Sequence, residues 1–245
     1  MANEPLKERL AKRRKKLKER GQGSGVFFIK EGKTRIRVLP IKDDEDWAFE
    51  MTHFYLGAVV KGVFSRSTIG EDCPIIELYE KWKNSSDSTD KDKAKRITPR
   101  SKYLVPAILY KDERGKELDE ERGITLVMLP TTVYGQMLDA YLDPDLGDHT
   151  NPETGYDIKI TRTGTGKTDT EYSMGAMRPS VLPKKWATPI DLEELILKKA
   201  LLSAEGVQDK LDEYLALEGE EEGETKLSLK ERKARKKRQG KKGDV

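Results

Sequence analysis

The sequence predicts a mainly β chain with inserted helices, an α+β arrangement around a small antiparallel barrel or twisted sheet. Three observations carry this reading. Short β-rich segments recur through the middle of the chain between Gly, Pro, Asn and Asp turns. Helical spacing returns only in isolated stretches. The charge is partitioned: residues 1–20 carry nine Lys or Arg against three Glu, and residues 226–245 carry ten against one Glu and one Asp. The ends thus hold +6 and +8, and the 205 residues between them hold −11 to give the chain its net +3.

Charged residues make up 37% of the 245 and hydrophobic ones 35%, so the whole chain is too polar for one compact core. Without the charged ends and the Glu-rich stretch Glu218–Glu224, a length sufficient to bury a real core remains. No apolar run approaches the roughly 20 residues of a membrane span. The charged start is followed by no apolar segment of the secretory kind, so an intracellular protein is expected. The single cysteine, Cys73, permits no internal disulfide.

Leu6 to Arg20 reads as a helix of strong helix formers, with Leu6, Leu10 and Leu17 near one face. Gly21, Gly23, Ser24 and Gly25 form a hinge after it. VFFI at 26–29 and KTRIRVLP at 33–40, separated by a Glu-Gly turn, read as a β-hairpin. In the second strand Thr34, Ile36 and Val38 alternate with Lys33, Arg35 and Arg37, giving one apolar and one basic face. Further strands are expected at Phe49–Tyr55, Val59–Ser65, Tyr103–Lys111, Gly123–Leu129, Tyr156–Thr163 and Thr170–Met177. Helices are expected at Pro74–Lys83, which a Pro begins, and at Thr131–Leu142, which a Thr can cap. The polar run Asn84–Lys95 reads as a mobile loop. Ile190–Leu217 returns to helical spacing, divided in two by Gly206.

TGTGKT at 163–168 invites a P-loop reading, but the G-x-x-x-x-G-K pattern needs Gly where Thr161 stands, and a strand rather than a helix follows. The segment reads instead as the tip of a hairpin, with Gly164 and Gly166 at the turn and Arg162 and Lys167 beside it. His53 and Cys73, twenty residues apart, make no tetrahedral metal set. The acidic clusters Asp43–Asp46 and Asp143–Asp148 have no spacing suited to a metal pair or to acid–base work. No nucleophile–base arrangement stands out, so no catalytic activity is expected.

Counter-ion release makes nucleic acid the first partner to consider for the basic ends. Solvated ends, or an assembly factor with basic arms on an acidic partner, are the alternatives. A nuclease or an annealing-linked recombinase is another. Basic and aromatic residues also interleave in the strand segments. Arg35 and Arg37, then Lys61, Phe64 and Arg66, then Arg100, Lys102 and Tyr103 follow the pattern of sheet surfaces that bind single strands.

The order of these pieces resembles the single-stranded DNA-binding proteins of tailed phages, of the T-even helix-destabilising type. The likeness runs over roughly residues 5–185. It rests on the basic segment LAKRRKKLKER, GKTRIRVLP, His53 in the following strand and Cys73-Pro74 opening a helix. RSKYLVPAILYKD, TTVYGQMLDAYL and the hairpin DIKITRTGTGKTDTEYS continue it. The resemblance implies an OB-fold-like core at 24–188 that binds single-stranded DNA without sequence specificity. It also implies a cooperativity arm at 1–23 and a zinc-less subdomain around 50–100; by residue pattern a helical segment follows at 189–217 and an acidic, then basic tail at 218–245. The family's zinc set needs one His and three Cys. Ile76 stands where the last Cys would follow, so no zinc and no other cofactor is expected. Glu218–Glu224 matches the family's acidic tail, but a basic segment follows it here.

On this reading Arg35, Arg37, Lys61, Arg66, Arg100, Lys102, Arg162 and Lys167 are the phosphate contacts. Phe64, Tyr103 and Tyr110 are the stacking rings, with Phe54 and Tyr55 behind them. Arg13, Arg14, Lys15 and Lys16 of the arm bind a neighbour or the DNA. The implied partners are single-stranded DNA, further copies of the chain in a cooperative filament, and replication or recombination proteins. The implied setting is phage DNA replication, recombination and repair in the cytoplasm of an infected bacterial host.

Overall fold

The computed structural model describes residues 25–42, 46–111, 117–166 and 169–219. In chain order the elements are β1 (Val26–Phe28), β2 (Gly32–Val38), β3 (Phe49–Tyr55), the single turn α1 (Gly57–Val60) and β4 (Gly62–Phe64). Helices α2 (Pro74–Lys83) and α3 (Ser88–Arg96) follow, then β5 (Arg100–Leu109), β6 (Thr125–Leu129) and α4 (Thr131–Leu142). The chain continues through β7 (Tyr156–Thr163), β8 (Glu171–Pro179), α5 (Leu192–Lys199) and α6, residues 204–219. They form two compact units. The first takes the described parts of Met1–Thr52 and Arg100–Leu201; the second takes those of His53–Pro99 and Leu202–Val245.

The first unit is built on the strand path β1-β6-β5-β2-β7-β8. β2 lies antiparallel to both β5 and β7, with Ile36 opposite Leu109 on one side and Ile158 on the other. Its alternation survives intact. Ile36 and Val38 join Val105, Val127, Ile158 and Ile160 in a core that Val133 and Met137 of α4 cover. The opposite face of β2 carries Lys33, Arg35 and Arg37, and β7 presents Thr161 and Lys159 across from the first two of these. Leu39, Ile108 and Leu182 form a separate small core with Trp186 and Ile190 beside them.

Two expectations for this unit are corrected. β1 and β2 do not pair as a hairpin: β1 lies parallel to β6, with Val26 opposite Leu126, and β6 and β5 stand between it and β2. β5 pairs with Ile36–Val38 on one side of β2 and β7 with Gly32–Ile36 on the other, and these strands supply the ladder that β1 was expected to give. The barrel is not closed among the described residues, and the sheet is not wholly antiparallel. The path ends at β1 and at β8, and a short strand running parallel to β6 offers β8 no edge to complete the ring.

The second unit packs the end of β3 and β4 with α2, α3 and α6. His53 pairs with Phe64 and Tyr55 with Gly62, and Phe54, Leu56, Val63, Ile75, Trp82, Ile97, Val207 and Leu211 fill its core. The expected strand Val59–Ser65 is interrupted, because Gly57 at φ 81° and Lys61 at φ 69° turn the chain before β4. The loop expected at Asn84–Lys95 contains α3. Asp87 caps it by accepting the Thr89 N–H at 2.8 Å, Asp90 sits in its first turn, and Lys93, Lys95 and Arg96 sit in its last. These placements suit the helix dipole, while the helix buries little beyond Ala94, so no apolar period betrays it. The break before α6 falls at residues 201–203 and not at Gly206. Ser203 Oγ accepts the Gly206 N–H at 3.1 Å, so that glycine lies in the helix's first turn. The helix expected at Leu6–Arg20 and the tail beyond residue 219 lie outside the described residues.

Candidate nucleic-acid interface

On the first unit, the basic face of β2 opens into a cleft of about 260 Å³. Lys33 and Arg35 come from β2, Tyr110 and Lys111 from the end of β5, Phe27 from β1, and Asp119 and Arg122 from the segment before β6. The backbone brings them together: Tyr110 N–H donates to Arg35 O at 3.1 Å, and Lys111 N–H to Glu117 O at 2.9 Å. Four cations and one carboxylate line the cleft; Asp119 is paired to Arg122 at 3.3 Å, and Lys111 is paired to Glu117 beside it at 3.5 Å.

Each ring of the cleft carries a cation. The Arg35 guanidinium lies 4.4 Å from the centre of the Tyr110 ring, and that of Arg122 lies 5.4 Å from the centre of Phe27. A guanidinium over a ring is attracted by the ring's quadrupole, and Phe27 also packs against the core of the unit.

Behind this surface lies Asp157 of β7, whose side chain is 2% exposed. Its Oδ2 accepts from Arg35 Nε at 3.1 Å, from Arg35 NH2 at 2.6 Å and from the Tyr110 hydroxyl at 2.6 Å. Its Oδ1 faces Arg37 NH1 at 3.7 Å. Burial, then the hydrogen bond to Asp157 and its charge, push the Tyr110 hydroxyl up to about 12. It therefore stays a neutral donor across the physiological range.

The remaining candidates from the sequence are spread more widely. Arg37 is buried, donating NH2 to Asn151 O at 2.9 Å and NH1 to Ser180 Oγ at 3.3 Å, so it ties β2 to the segment before β7 and to the residue after β8. Tyr103 stacks on Tyr134 of α4 with ring centres 3.7 Å apart. Arg100 is exposed at the start of β5, and burial lowers the Lys102 ammonium's pKa, assisted by Arg100. Arg162 donates NH1 to Ile29 O at 2.8 Å and lies over Tyr172. Lys61, Phe64 and Arg66 belong to the second unit. There Lys61 is exposed and Phe64 is buried against His53. Arg66 is held by Glu71 and by Leu202 O. Phe54 is fully buried in that unit and Tyr55 is exposed. Lys167 and the arm residues Arg13, Arg14, Lys15 and Lys16 lie outside the described residues.

The sequence reading did not single out Phe27, Lys111, Arg122 or Asp157. Asp157 did leave a signal, being a carboxylate inside an otherwise apolar strand, YDIKI. Phe27 and Arg122 left none, because their meeting depends on the parallel β1–β6 pair. In the second unit His53 and Cys73 are both buried. Among the described residues no group of three or more His, Cys, Asp or Glu is placed to hold a metal.

A sheet-built cleft that sets guanidinium and ammonium groups beside two aromatic rings has the chemistry that single-stranded nucleic acid calls for. Residues 30–215 match the family described as gp32 DNA binding protein like, and the chain belongs to that family of single-stranded DNA-binding proteins. A search of curated proteins finds no match.

Proposed function

We propose that this chain binds single-stranded DNA without sequence preference, along the cleft of its first unit. The observation that carries the reading is the joint presence there of four cations and the rings of Phe27 and Tyr110. Cations neutralise the backbone phosphates and release counter-ions, while each stacked base contributes about 1–3 kcal/mol whatever its identity. The antiparallel run β5-β2-β7-β8 is read as the family's OB-type core in open form. The chain performs no catalysis: it coats and protects the strand during phage DNA replication, recombination and repair in the host cytoplasm. Binding is cooperative through the basic arm at 1–23, and the tail at 218–245 addresses replication proteins.

The test is an equilibrium titration of labelled oligo-dT and of a duplex of equal length. Tight binding to oligo-dT at about 50 mM salt, with a log–log salt slope near −0.7 per phosphate contacted, supports the proposal. Micromolar or weaker binding with no preference over duplex contradicts it.

A further inference from the structure

We propose that Asp157 is the positioning residue of the DNA cleft, holding the Arg35 guanidinium and the Tyr110 ring as one rigid platform. The assignment rests on the cleft being the DNA-binding surface. One carboxylate oxygen, Oδ2, receives three donors, two from Arg35 and one from the Tyr110 hydroxyl. A carboxylate accepting both Arg35 N–H groups fixes the plane of the guanidinium as well as its place. The Tyr110 hydroxyl, bound to the same oxygen, fixes the ring so that the guanidinium lies 4.4 Å from its centre. Arg35 and Tyr110 come from different strands, and no covalent path shorter than the sheet itself holds their side chains in register.

The sign of this arrangement is unusual for a DNA-binding surface. A carboxylate beside the cleft repels phosphate, so Coulomb's law alone predicts that its loss strengthens binding. Asp157 is 2% exposed and directed at three donors, not at the cleft opening. Its repulsion is therefore largely cancelled by Arg35 and Arg37, whereas the three donors it gathers on one oxygen lose their common anchor with it. An Arg35 without those two bonds samples more rotamers, and ordering it on the strand then carries an entropic cost that the native side chain has already met.

Asp157→Asn keeps the side-chain size and removes the charge, and it separates the two views. Positioning predicts that the full-length variant binds a short oligo-dT about tenfold more weakly, the order expected for losing a hydrogen bond to a charged group. A fluorescent oligo-dT titration reads this, and circular dichroism confirms the fold. In parallel, ultraviolet titration of the tyrosines reads the Tyr110 phenol, identified by its loss in Tyr110→Phe. That transition, at about 12 in the wild type, moves down in the variant. A folded variant that binds oligo-dT as tightly as the wild type, or more tightly, overturns the assignment, as does an unmoved Tyr110 transition. Wild-type protein that fails to bind oligo-dT overturns the reading of the cleft itself, and this assignment with it.

Should the buried Arg37, deprived of its facing carboxylate, unfold the variant, Tyr110→Phe and Arg35→Lys decide the matter. Each cuts a link to Oδ2 while Asp157 still faces Arg37, and Arg35→Lys also preserves the charge. Severalfold weaker binding by both supports positioning. Unchanged binding by both overturns it.

Discussion

The ring of Tyr103 lies flat on the ring of Tyr134, with centres 3.7 Å apart and planes 5° from parallel. β5 supplies one ring and α4 the other, so the pair fastens the helix to the sheet. Burial raises the hydroxyl pKa of both. One face of Tyr103, a stacking candidate from sequence, is thus already covered by protein. A double-mutant cycle with Tyr103→Ala and Tyr134→Ala, followed by urea unfolding, should show a coupling of about 1 kcal/mol. Tyr103→Ala should also weaken oligo-dT binding less than Tyr110→Ala does; the reverse order would place the strand over α4 instead of over the cleft.

His149 is fully buried, and Trp47 and Tyr141 meet it edge-on with centres 4.7 and 5.5 Å away. Burial lowers its pKa from 6.5 to about 4, with Asp148 opposing and Arg37 adding to the shift. The unfolded chain therefore binds the extra proton between those two values. The stability that depends on a neutral His149 is complete above pH 6.5 and is lost as pH falls to about 4, on the order of 3 kcal/mol. Urea midpoints measured across that window should fall less for His149→Phe than for the wild type. Parallel curves would show that His149 does not titrate as its burial demands.

Gly155 lies where the chain enters β7. A Cβ there would stand 2.4 Å from Asn151 O and 2.8 Å from His149 O, both backbone atoms, and 3.1 Å from Arg37 NH2. Gly155→Ala should therefore displace the turn that receives Arg37, destabilising the protein by about 1–3 kcal/mol. A change in thermal midpoint too small to resolve would mean that the turn yields freely.

Phe27 and Arg122 form the second ring–cation pair of the cleft. Phe27→Ala should weaken oligo-dT binding by about 1–3 kcal/mol, and Phe27→Tyr should leave it nearly unchanged. Equal losses in both variants would indicate that the ring packs the β1–β6 edge and does not meet a base.

Strands and helices with a strong period were legible in the sequence. Phe49–Tyr55, Pro74–Lys83, Thr131–Leu142 and Tyr156–Thr163 stand at the expected residues. The two faces of β2 follow from its alternation alone, since Thr34, Ile36 and Val38 separate from Lys33, Arg35 and Arg37 by pleat geometry. The β7–β8 hairpin, with Gly164 in its turn, stands as expected, but the pairing of β1 was not legible. The Glu31-Gly32 turn suggested a hairpin because local turn chemistry says nothing about which strand completes the ladder. Arg37 and Arg35, two residues apart on one face, were indistinguishable until depth in the sheet separated a buried strut from a side chain 20% exposed at the cleft. α3 escaped notice because capping and charge, not apolar period, mark it.

The central claim is that the cleft of the first unit carries the strand, and its salt dependence tests this most directly. Oligo-dT affinity should be measured from low to high salt for the wild type and for Lys33→Ala, Lys111→Ala and Arg122→Ala combined. The account predicts a folded triple variant that binds more weakly, its log–log slope shallower by about 2, near 0.7 for each cation removed. A triple variant with the wild-type slope and affinity would contradict it, and would send the search for the strand to another surface.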